Sequence, residues 1–324
     1  MVDKESQTVN YNKLKRTVRT GVRMMDNVVD ATPYFLKANK DQALGERRLG
    51  MGVMGLHDLL IYCKKVYGSN EGNMLVDEVF KVIATEAYRE SIELAKEKGS
   101  FPFMGSEDVR KKFINSGYMW TLPPDIREGV LRFGIRNSHI LTVAPTGSTG
   151  TMTGVSTGLE PYFAFKYFRS GRLGKFIEVT AGIIREMDAD LNNLPDYFVS
   201  SMELSPEAHA DVQCIIQRWV DSSISKTVNA PKGYTPKQVQ SVYERLYSKG
   251  AKGGTVYVDG SRDSQVLSLA DDAADEVVDE PVKQKTDLGA EIGNTCPVCR
   301  DGIVIEQGGC NTCNTCGTQL KCGM

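Results

Sequence analysis

The sequence has little that would place it in a membrane, on nucleic acid or in an oxidising compartment. None of its apolar runs reaches the ~18 residues that a membrane helix needs, and the N-terminal segment MVDKESQTVNYNK is too polar for a secretory signal. With 39 Lys and Arg against 41 Asp and Glu, the formal net charge is -2, so no basic field favours direct nucleic-acid binding. We therefore expect a soluble cytoplasmic protein.

Cysteine is scarce outside the C-terminus. Of the eight cysteines, Cys63 and Cys214 stand alone, and the other six lie between Cys296 and Cys322. A disulfide framework would spread its cysteines along the chain, so this crowding indicates a metal or redox module instead. Histidine is scarcer still, without metal spacing or a nucleophile partner. All three histidines are interpreted as surface or core residues: His57, His139 and His209.

Patterns of helical length alternate with short apolar runs over residues 11–267. A stripe of apolar residues predicts a first helix with one buried face: Leu14, Val18, Val22, Met25 and Val29. Further helices are predicted over 73–99, with Asn73 as its cap, and over 176–187, 206–220 and 235–249, and strands over 49–53, 139–144, 224–228 and 255–258. This alternation indicates an α/β fold with a parallel sheet covered by helices. Four or five strands are too few for an eight-stranded barrel, so we expect an open half-sheet or part of a barrel completed elsewhere.

Two changes in composition divide the chain. Residues 268–294 include the acidic run DDAADEVVDEPVKQKTD, contain Pro281 and have little to bury, which predicts a flexible linker. Residues 295–324 hold the crowded cysteines. The predicted organisation is a main domain over 1–267, a linker over 268–294 and a cysteine-rich tail over 295–324.

The tail carries two CxxC motifs, Cys296 with Cys299 and Cys313 with Cys316. Two such turns joined by a short hairpin bring four thiolates to one ion at ~2.3 Å, in the tetrahedral arrangement that suits zinc. We therefore predict a zinc-ribbon-like tail with these four cysteines as the metal ligands.

Cys310 and Cys322 lie outside this set of ligands. One interpretation is redundancy among the ligands, with Cys310 in place of Cys313. The other is a redox pair on a swinging tail that exchanges disulfides by thiolate attack. Cys310 with Cys322 is the redox pair that we predict, and Cys316 with Cys322 is the alternative pairing.

Two glycine-rich segments are candidates for a phosphate-binding loop. Residues 50–55 match GxGxxG, but their glycines lie inside an apolar run and do not follow a strand, which favours close packing against neighbouring backbone. The second segment follows the apolar run 140–144, at the C-terminal end of a predicted parallel strand, where ligands of α/β sheets bind. Its small and hydroxyl residues are typical of an anion-binding nest, although it lacks the Gly-Lys-Ser/Thr of a P-loop and a plain turn is the alternative. The predicted loop consists of Pro145, Thr146, Gly147, Ser148, Thr149, Gly150 and Thr151.

Five segments in one order resemble the C-terminal half of a ribonucleotide reductase catalytic chain. They are RRLGMGVMGLHDLL, NSHILTVAPTGSTGTM, SSISKTVNAPKGYT, GAKGGTVYVDGSRDSQVLSL and the six-cysteine tail. The resemblance implies one five-stranded half of a ten-stranded α/β barrel, in which residues 145–151 bind the substrate's phosphates through backbone amides. It also implies that the tail thiols reduce the active-site disulfide after each turnover, with electrons from a thioredoxin-like or dithiol reductant.

Residues 256–263, VYVDGSRD, bear on the subclass. Class I members import their radical across a tyrosine pair in the matching Leu-Tyr-Tyr segment, whereas here Tyr257 is followed by Val258. The stretch resembles instead class II, whose members generate the radical in place from adenosylcobalamin. The resemblance thus implies adenosylcobalamin as a cofactor beside the zinc of the tail.

Members of the family carry the thiyl-radical cysteine in an Asn-x-Cys-x-Glu loop, upstream of the region that this chain resembles. Neither Cys63 nor Cys214 has this context, and each is interpreted as a buried residue of a helix. We therefore expect the chain to reduce ribonucleotides only together with an N-terminal chain. The alternatives are a non-catalytic phosphate-binding or assembly module with a zinc ribbon, and a fragment of a class I reductase.

Overall fold

The computed structural model describes residues 1–171, 174–261, 267–268 and 288–322. These residues form two compact units. The first unit comprises residues 1–163 and 181–261, and the second comprises the described residues of 164–180 and 262–324. Most of the predicted linker, residues 269–287, lies outside the described residues.

Helices make up most of the first unit. They are α1 Tyr11–Ala31, α2 Lys37–Glu46, α3 Leu56–Tyr62, α4 Asn70–Lys98, α5 Glu107–Ile114, α6 Gly117–Thr121, α7 Pro124–Phe133, α8 Gly147–Thr153, α9 Gly182–Glu186, α10 Pro206–Gln217 and α11 Pro236–Ser248, with a 3₁₀ turn at Pro102–Met104. Among the described residues, no helix is both long enough and apolar enough to span a membrane.

The long helices α1 and α4 pack against each other and bury the faces that their sequences predict. Leu14, Val18 and Val22 of α1 are buried, and so is the stripe of α4 from Val76 to Ala87. Apolar residues at helical spacing remove one face of each helix from water, so the predicted stripe of α1 is confirmed at these three residues, while Met25 and Val29 are half-buried against the same core.

Capping residues set the ends of α11 and α4. At α11, the Thr235 side chain accepts a hydrogen bond from Gln238 N while the Gln238 side chain accepts one from Thr235 N. This capping box confirms the predicted start. At α4, the Ser69 side chain accepts a hydrogen bond from Gly72 N. The predicted cap at Asn73 is therefore wrong, because Ser69 already serves the amides of the first turn.

The strands are short: β1 Val2–Asp3, β2 Thr8–Val9, β3 Lys166–Gly171, β4 Gly174–Thr180, β5 Thr227–Ala230, β6 Thr255–Val258, β7 Leu267–Ser268, β8 Val304–Gln307, β9 Cys310–Cys313 and β10 Gln319–Cys322. In the first unit, Met51 bridges Leu141 and Val143 bridges Ile224, both in parallel. β5 pairs in parallel with β6. The predicted α/β class with parallel pairing is confirmed, although the parallel segments that the structure describes form an open arrangement and not a closed ten-stranded barrel.

The two sheets of the second unit are antiparallel. Its strands form one sheet in the order β4-β3-β7 and another in the order β10-β9-β8. The helix predicted over 176–187 is wrong, because residues through Thr180 belong to β4 and only Gly182–Glu186 are helical. The β-branched residues Ile177, Val179 and Thr180 favour a strand once an antiparallel partner is present.

Candidate functional site

The predicted phosphate loop follows the extended segment 139–144, at the carboxyl end of its parallel ladder. Leu141 O accepts a hydrogen bond from Ser222 N, and Val143 O accepts one from Ser225 N. These bonds fix the backbone of the segment as far as the residue before the loop begins. Thr146 then takes a left-handed conformation, with φ 50° and ψ 28°, and caps α8. The turn exposes Gly147, Ser148 and Thr149. Their amides belong to the first helical turn, where backbone N-H groups have no partner within the helix.

Glycines allow the backbone behind this loop to approach closely. A Cβ on Gly158, which has φ +49°, would lie 2.9 Å from Ala144 O and 3.2 Å from Pro145 O. A Cβ on Gly52 would lie 2.5 Å from Thr142 O. The GxGxxG segment therefore packs a backbone against the neighbouring strand, as predicted, since a side chain at Gly52 would collide with that strand.

His57 and Asp58, in the first turn of α3, hold the segment that follows α8. Asp58 Oδ2 accepts a hydrogen bond from Ser156 N at 2.7 Å, and Oδ1 accepts one from the Tyr162 hydroxyl at 2.7 Å. His57 Nδ1 accepts from Tyr162 N at 3.0 Å. Burial lowers the pKa of His57 to about 3. His57 is therefore a neutral core residue with its proton on Nε2, in agreement with the core interpretation.

A buried lysine lies beside the same segment. The Lys226 ammonium is 2.9 Å from Glu160 Oε2 and 3.0 Å from His209 Nδ1, and its side chain has 0% exposure. The other oxygen of Glu160 accepts a hydrogen bond from Thr227 N at 2.6 Å. This ion pair joins the exit of the phosphate loop to the strand beside it.

Four cysteines of the tail converge. The sulfurs of Cys296, Cys299, Cys313 and Cys316 all lie within 4.8 Å of one another. The Cys296–Cys316 and Cys299–Cys313 sulfur distances are 3.8 and 3.5 Å. A tetrahedral zinc site with bonds of ~2.3 Å separates neighbouring sulfurs by about 3.8 Å, so the cluster has the dimensions of such a site. Hydrogen bonding by Thr318 lowers the pKa of the Cys316 thiol to about 6, which favours the thiolate that a metal binds.

The remaining cysteines fall into two groups. Cys310 is disulfide-bonded, and the backbone of Cys322 lies directly opposite it in the β9–β10 register. Cys214 is buried within α10, as predicted, whereas Cys63 is half-buried at the end of α3. Burial raises the pKa of both isolated thiols, so neither has the character of an activated nucleophile.

A model of the ribonucleotide reductase barrel domain matches residues 1–257. The chain belongs to the ribonucleotide reductase family. The resemblance found in the sequence is thereby confirmed for residues 1–257, which include the predicted phosphate loop and the Lys226 ion pair. The cysteine cluster lies beyond the matched residues.

Two vitamin B12-dependent ribonucleoside-diphosphate reductases are similar to this chain. The protein from Thermoplasma acidophilum is 31% identical over 288 residues, covering 82% of this chain and 35% of the relative. The protein from Mycobacterium tuberculosis is 30% identical over 285 residues, covering 81% and 38%. The ribonucleoside-diphosphate reductase subunit alpha of Chlamydia pneumoniae is 25% identical over 291 residues, covering 75% and 27%. The chain thus spans between about a quarter and two fifths of the length of these relatives.

Sequence reasoning missed Glu160 and Lys226 of this ribonucleotide reductase domain. The sequence does carry a signal for Lys226, because at two-residue spacing it shares one face of the predicted strand with Ile224 and Val228. A charge at an inward strand position requires a buried partner. The partner itself could not be located, since Glu160 is distant in sequence and lies in a segment without regular structure.

Proposed function

We propose that this chain supplies the substrate-phosphate half and the redox tail of a class II ribonucleotide reductase. It would act with an N-terminal chain that carries the radical cysteine and would reduce ribonucleoside diphosphates. The proposal rests on the family membership and on the similarity to B12-dependent reductases.

The position of residues 145–151 is the observation that carries the proposal. Gly147, Ser148 and Thr149 of the loop are exposed; the loop follows the extended segment 139–144, which makes parallel bridges at Leu141 and Val143, and it opens a helix with backbone amides. Amides at a helix start bind phosphate through N-H donation and the positive end of the helix dipole. We assign the loop of Pro145 to Thr151 to the phosphates of the substrate.

The B12-dependent names of the relatives support adenosylcobalamin as the radical source. When bound, this cofactor supplies a carbon radical by homolysis of its cobalt–carbon bond. The residues of β6 fit a radical made in place, because Tyr257 is followed by Val258 and a tyrosine-pair relay would be interrupted there.

The tail completes the proposed cycle. Zinc would be held by Cys296, Cys299, Cys313 and Cys316, and the proximity of their sulfurs, all within 4.8 Å of one another, supports this assignment. Cys310 and Cys322 would exchange their two thiols for the active-site disulfide, reducing it and becoming a disulfide themselves. The register supports this pairing, because opposed residues of antiparallel strands have Cα atoms ~4.5–5.5 Å apart, within reach of a disulfide. A thioredoxin-like or small dithiol would then restore both thiols.

Reconstitution tests the proposal. The full chain is mixed with the N-terminal chain, adenosylcobalamin, a dithiol and a ribonucleoside diphosphate, and deoxyribonucleotide is measured. We expect product with both chains and none with either alone. In the loop, S148E should raise KM at least ~10-fold by charge repulsion, while M152E, on an exposed position of the same helix, should stay within ~2-fold of wild type.

The other outcomes assign the other functions. No product from a folded mixture, with phosphate still bound, would indicate a non-catalytic phosphate-binding module. Turnover that needs a radical-supplying protein in place of adenosylcobalamin would indicate class I.

A further inference from the structure

Lys226 is a buried cation with three acceptors for its three protons. Its Nζ lies 2.9 Å from Glu160 Oε2, 3.0 Å from His209 Nδ1 and 3.1 Å from Thr227 O. A buried ammonium requires such partners, because the desolvation free energy of an unpaired buried charge would strongly destabilise the folded state. The ammonium is therefore held in one place and one orientation.

His209 serves this site as a neutral acceptor. Its Nε2 is 2.9 Å from Ser201 O, and since a carbonyl only accepts, the imidazole proton lies on Nε2. The lone pair of Nδ1 thus faces Lys226. Burial and the nearby charge of Lys226 lower the pKa of His209 to about 3. Glu160 is therefore the partner that balances the charge of the lysine.

Glu160 belongs to a segment tied to the phosphate loop. Two residues earlier, Gly158 N donates to Thr146 Oγ1 at 2.7 Å. The Gly158 backbone also lies against the carbonyls of Ala144 and Pro145. The Tyr67 hydroxyl donates to Leu159 O at 2.7 Å and holds the segment from its other side.

These contacts connect the loop to the backbone on both of its sides. The extended segment 139–144 leads into the loop, the loop into residues 158–160, and Glu160 returns through Lys226 to the strand that bridges Val143. Thr146 of this loop has a left-handed conformation that a threonine rarely adopts. Such a conformation persists where its surroundings fix it.

We propose that Lys226, through Glu160, is a positioning residue that fixes the phosphate loop in its binding conformation. Lys226 does not touch the substrate, because its side chain is enclosed. The inference rests on the proposed function, since it assumes that the loop binds the phosphates of the substrate.

Three variants separate positioning from stability. K226M and E160Q each remove one charge, whereas K226M/E160Q removes both and leaves no uncompensated buried ion. The matched control is D26N, which breaks the buried ion pair of Asp26 with Arg47. Asp26 also accepts a hydrogen bond from Asn137, which precedes segment 139–144 and so lies at the end of that segment away from the loop.

Hydrogen exchange on the full chain is the first readout. Peptides covering residues 144–153 should exchange at least ~5-fold faster in all three variants, including the double variant, and remain protected in D26N. The second readout is kinetics of the reconstituted enzyme. KM for the ribonucleotide should rise at least ~5-fold in the double variant with kcat within ~2-fold, and D26N should keep the wild-type KM.

The two proposals fail in different ways. If the double variant matches wild type or D26N in loop exchange and in KM, the positioning role is overturned and the pair is purely stabilising. If the wild-type mixture has no activity, the proposed function is contradicted, and the exchange experiment alone still decides whether Lys226 fixes the loop.

Discussion

At the residue scale, buried histidines act here as fixed hydrogen-bonding groups. His57 accepts from Tyr162 N, and His209 accepts from Lys226. Both have a pKa of about 3, chiefly because burial disfavours the charged imidazolium. Each therefore contributes to a polar contact in its neutral form across the physiological range.

The depressed pKa of His57 predicts acid sensitivity of the fold. The unfolded histidine titrates near ~6.5, so the unfolded state binds the extra proton first as the pH falls. The contribution is fully present above this value and is lost between it and the folded pKa of about 3. We expect H57Q to lower the slope of unfolding free energy against pH by up to ~1.4 kcal/mol per pH unit below ~6.5.

Urea unfolding at about pH 7, 6 and 5 measures this slope. In H57Q the glutamine side chain keeps a neutral hydrogen-bond acceptor near Tyr162 N, while the titration is removed. H139Q is the control, because His139 is only half-buried and its pKa is lowered less strongly. Parallel pH profiles for H57Q and wild type would contradict the assignment of a neutral buried imidazole.

At the scale of elements, the geometry of the phosphate loop depends on the backbone behind it. Gly154 and Gly158 both have positive φ, +75° and +49°. A Cβ at Gly154 would meet nothing within 4 Å, whereas one at Gly158 would press on the carbonyls that lead into the loop. Alanine substitutions at the two positions therefore separate the cost of backbone strain, which both share, from the cost of steric collision, which arises only at Gly158.

We predict that G158A destabilises the chain more than G154A. Alanine at either position bears the left-handed penalty of ~1–2 kcal/mol, and G158A adds ~1–3 kcal/mol from displacing the Ala144 and Pro145 carbonyls. The free energy of unfolding in urea measures the difference. If G154A and G158A lost equal amounts of unfolding free energy, the Ala144 and Pro145 carbonyls would accommodate the extra methyl group without added strain.

The elements that the sequence predicts are those with a strong local signal. The stripe of α1, the Thr235 capping box and the close backbone packing of the glycine-rich segment 49–53 follow from residues close together in the chain. The helix expected over 176–187 failed because β4 is specified by its pairing with β3, which is a tertiary contact. The Glu160–Lys226 pair was missed for the same reason, since 66 positions separate its members.

At the scale of the whole molecule, the chain combines a family domain with a cluster of cysteines that lies beyond the matched residues. The reductase barrel match ends at residue 257. The second unit holds the cluster of four cysteine sulfurs that could bind a metal, and also the disulfide-bonded Cys310. Metal binding and electron transfer are therefore proposed for one small sheet, and they must be assigned to different cysteines.

The alternation of side chains along β9 separates the two roles. Cys310 and Cys313 are three positions apart in this strand, so their side chains point to opposite faces of the sheet. Cys313 faces the sulfur cluster, and Cys310 is directed away from it. This placement argues against Cys310 as a replacement ligand for Cys313.

We predict that C310S keeps its zinc but loses turnover with a protein reductant. The four cluster sulfurs remain, while no thiol pair is left in the tail to pass electrons inward. In the reconstituted enzyme, a small dithiol that reaches the active site should restore turnover to within ~3-fold of wild type. Metal content per chain, measured by atomic emission, and product formed with each reductant are the two readouts.

C296S is the matched variant, because it removes one ligand of the cluster and leaves Cys310 in place. Three sulfurs hold zinc less tightly than four, so C296S should lose the metal under a chelator that wild type and C310S withstand. If C310S also lost its zinc, Cys310 would be a ligand and the redox assignment would be wrong. If C310S kept both its zinc and its turnover with the protein reductant, electrons would reach the active site by another route, because substitution of Cys310 leaves the proposed tail pair with one thiol.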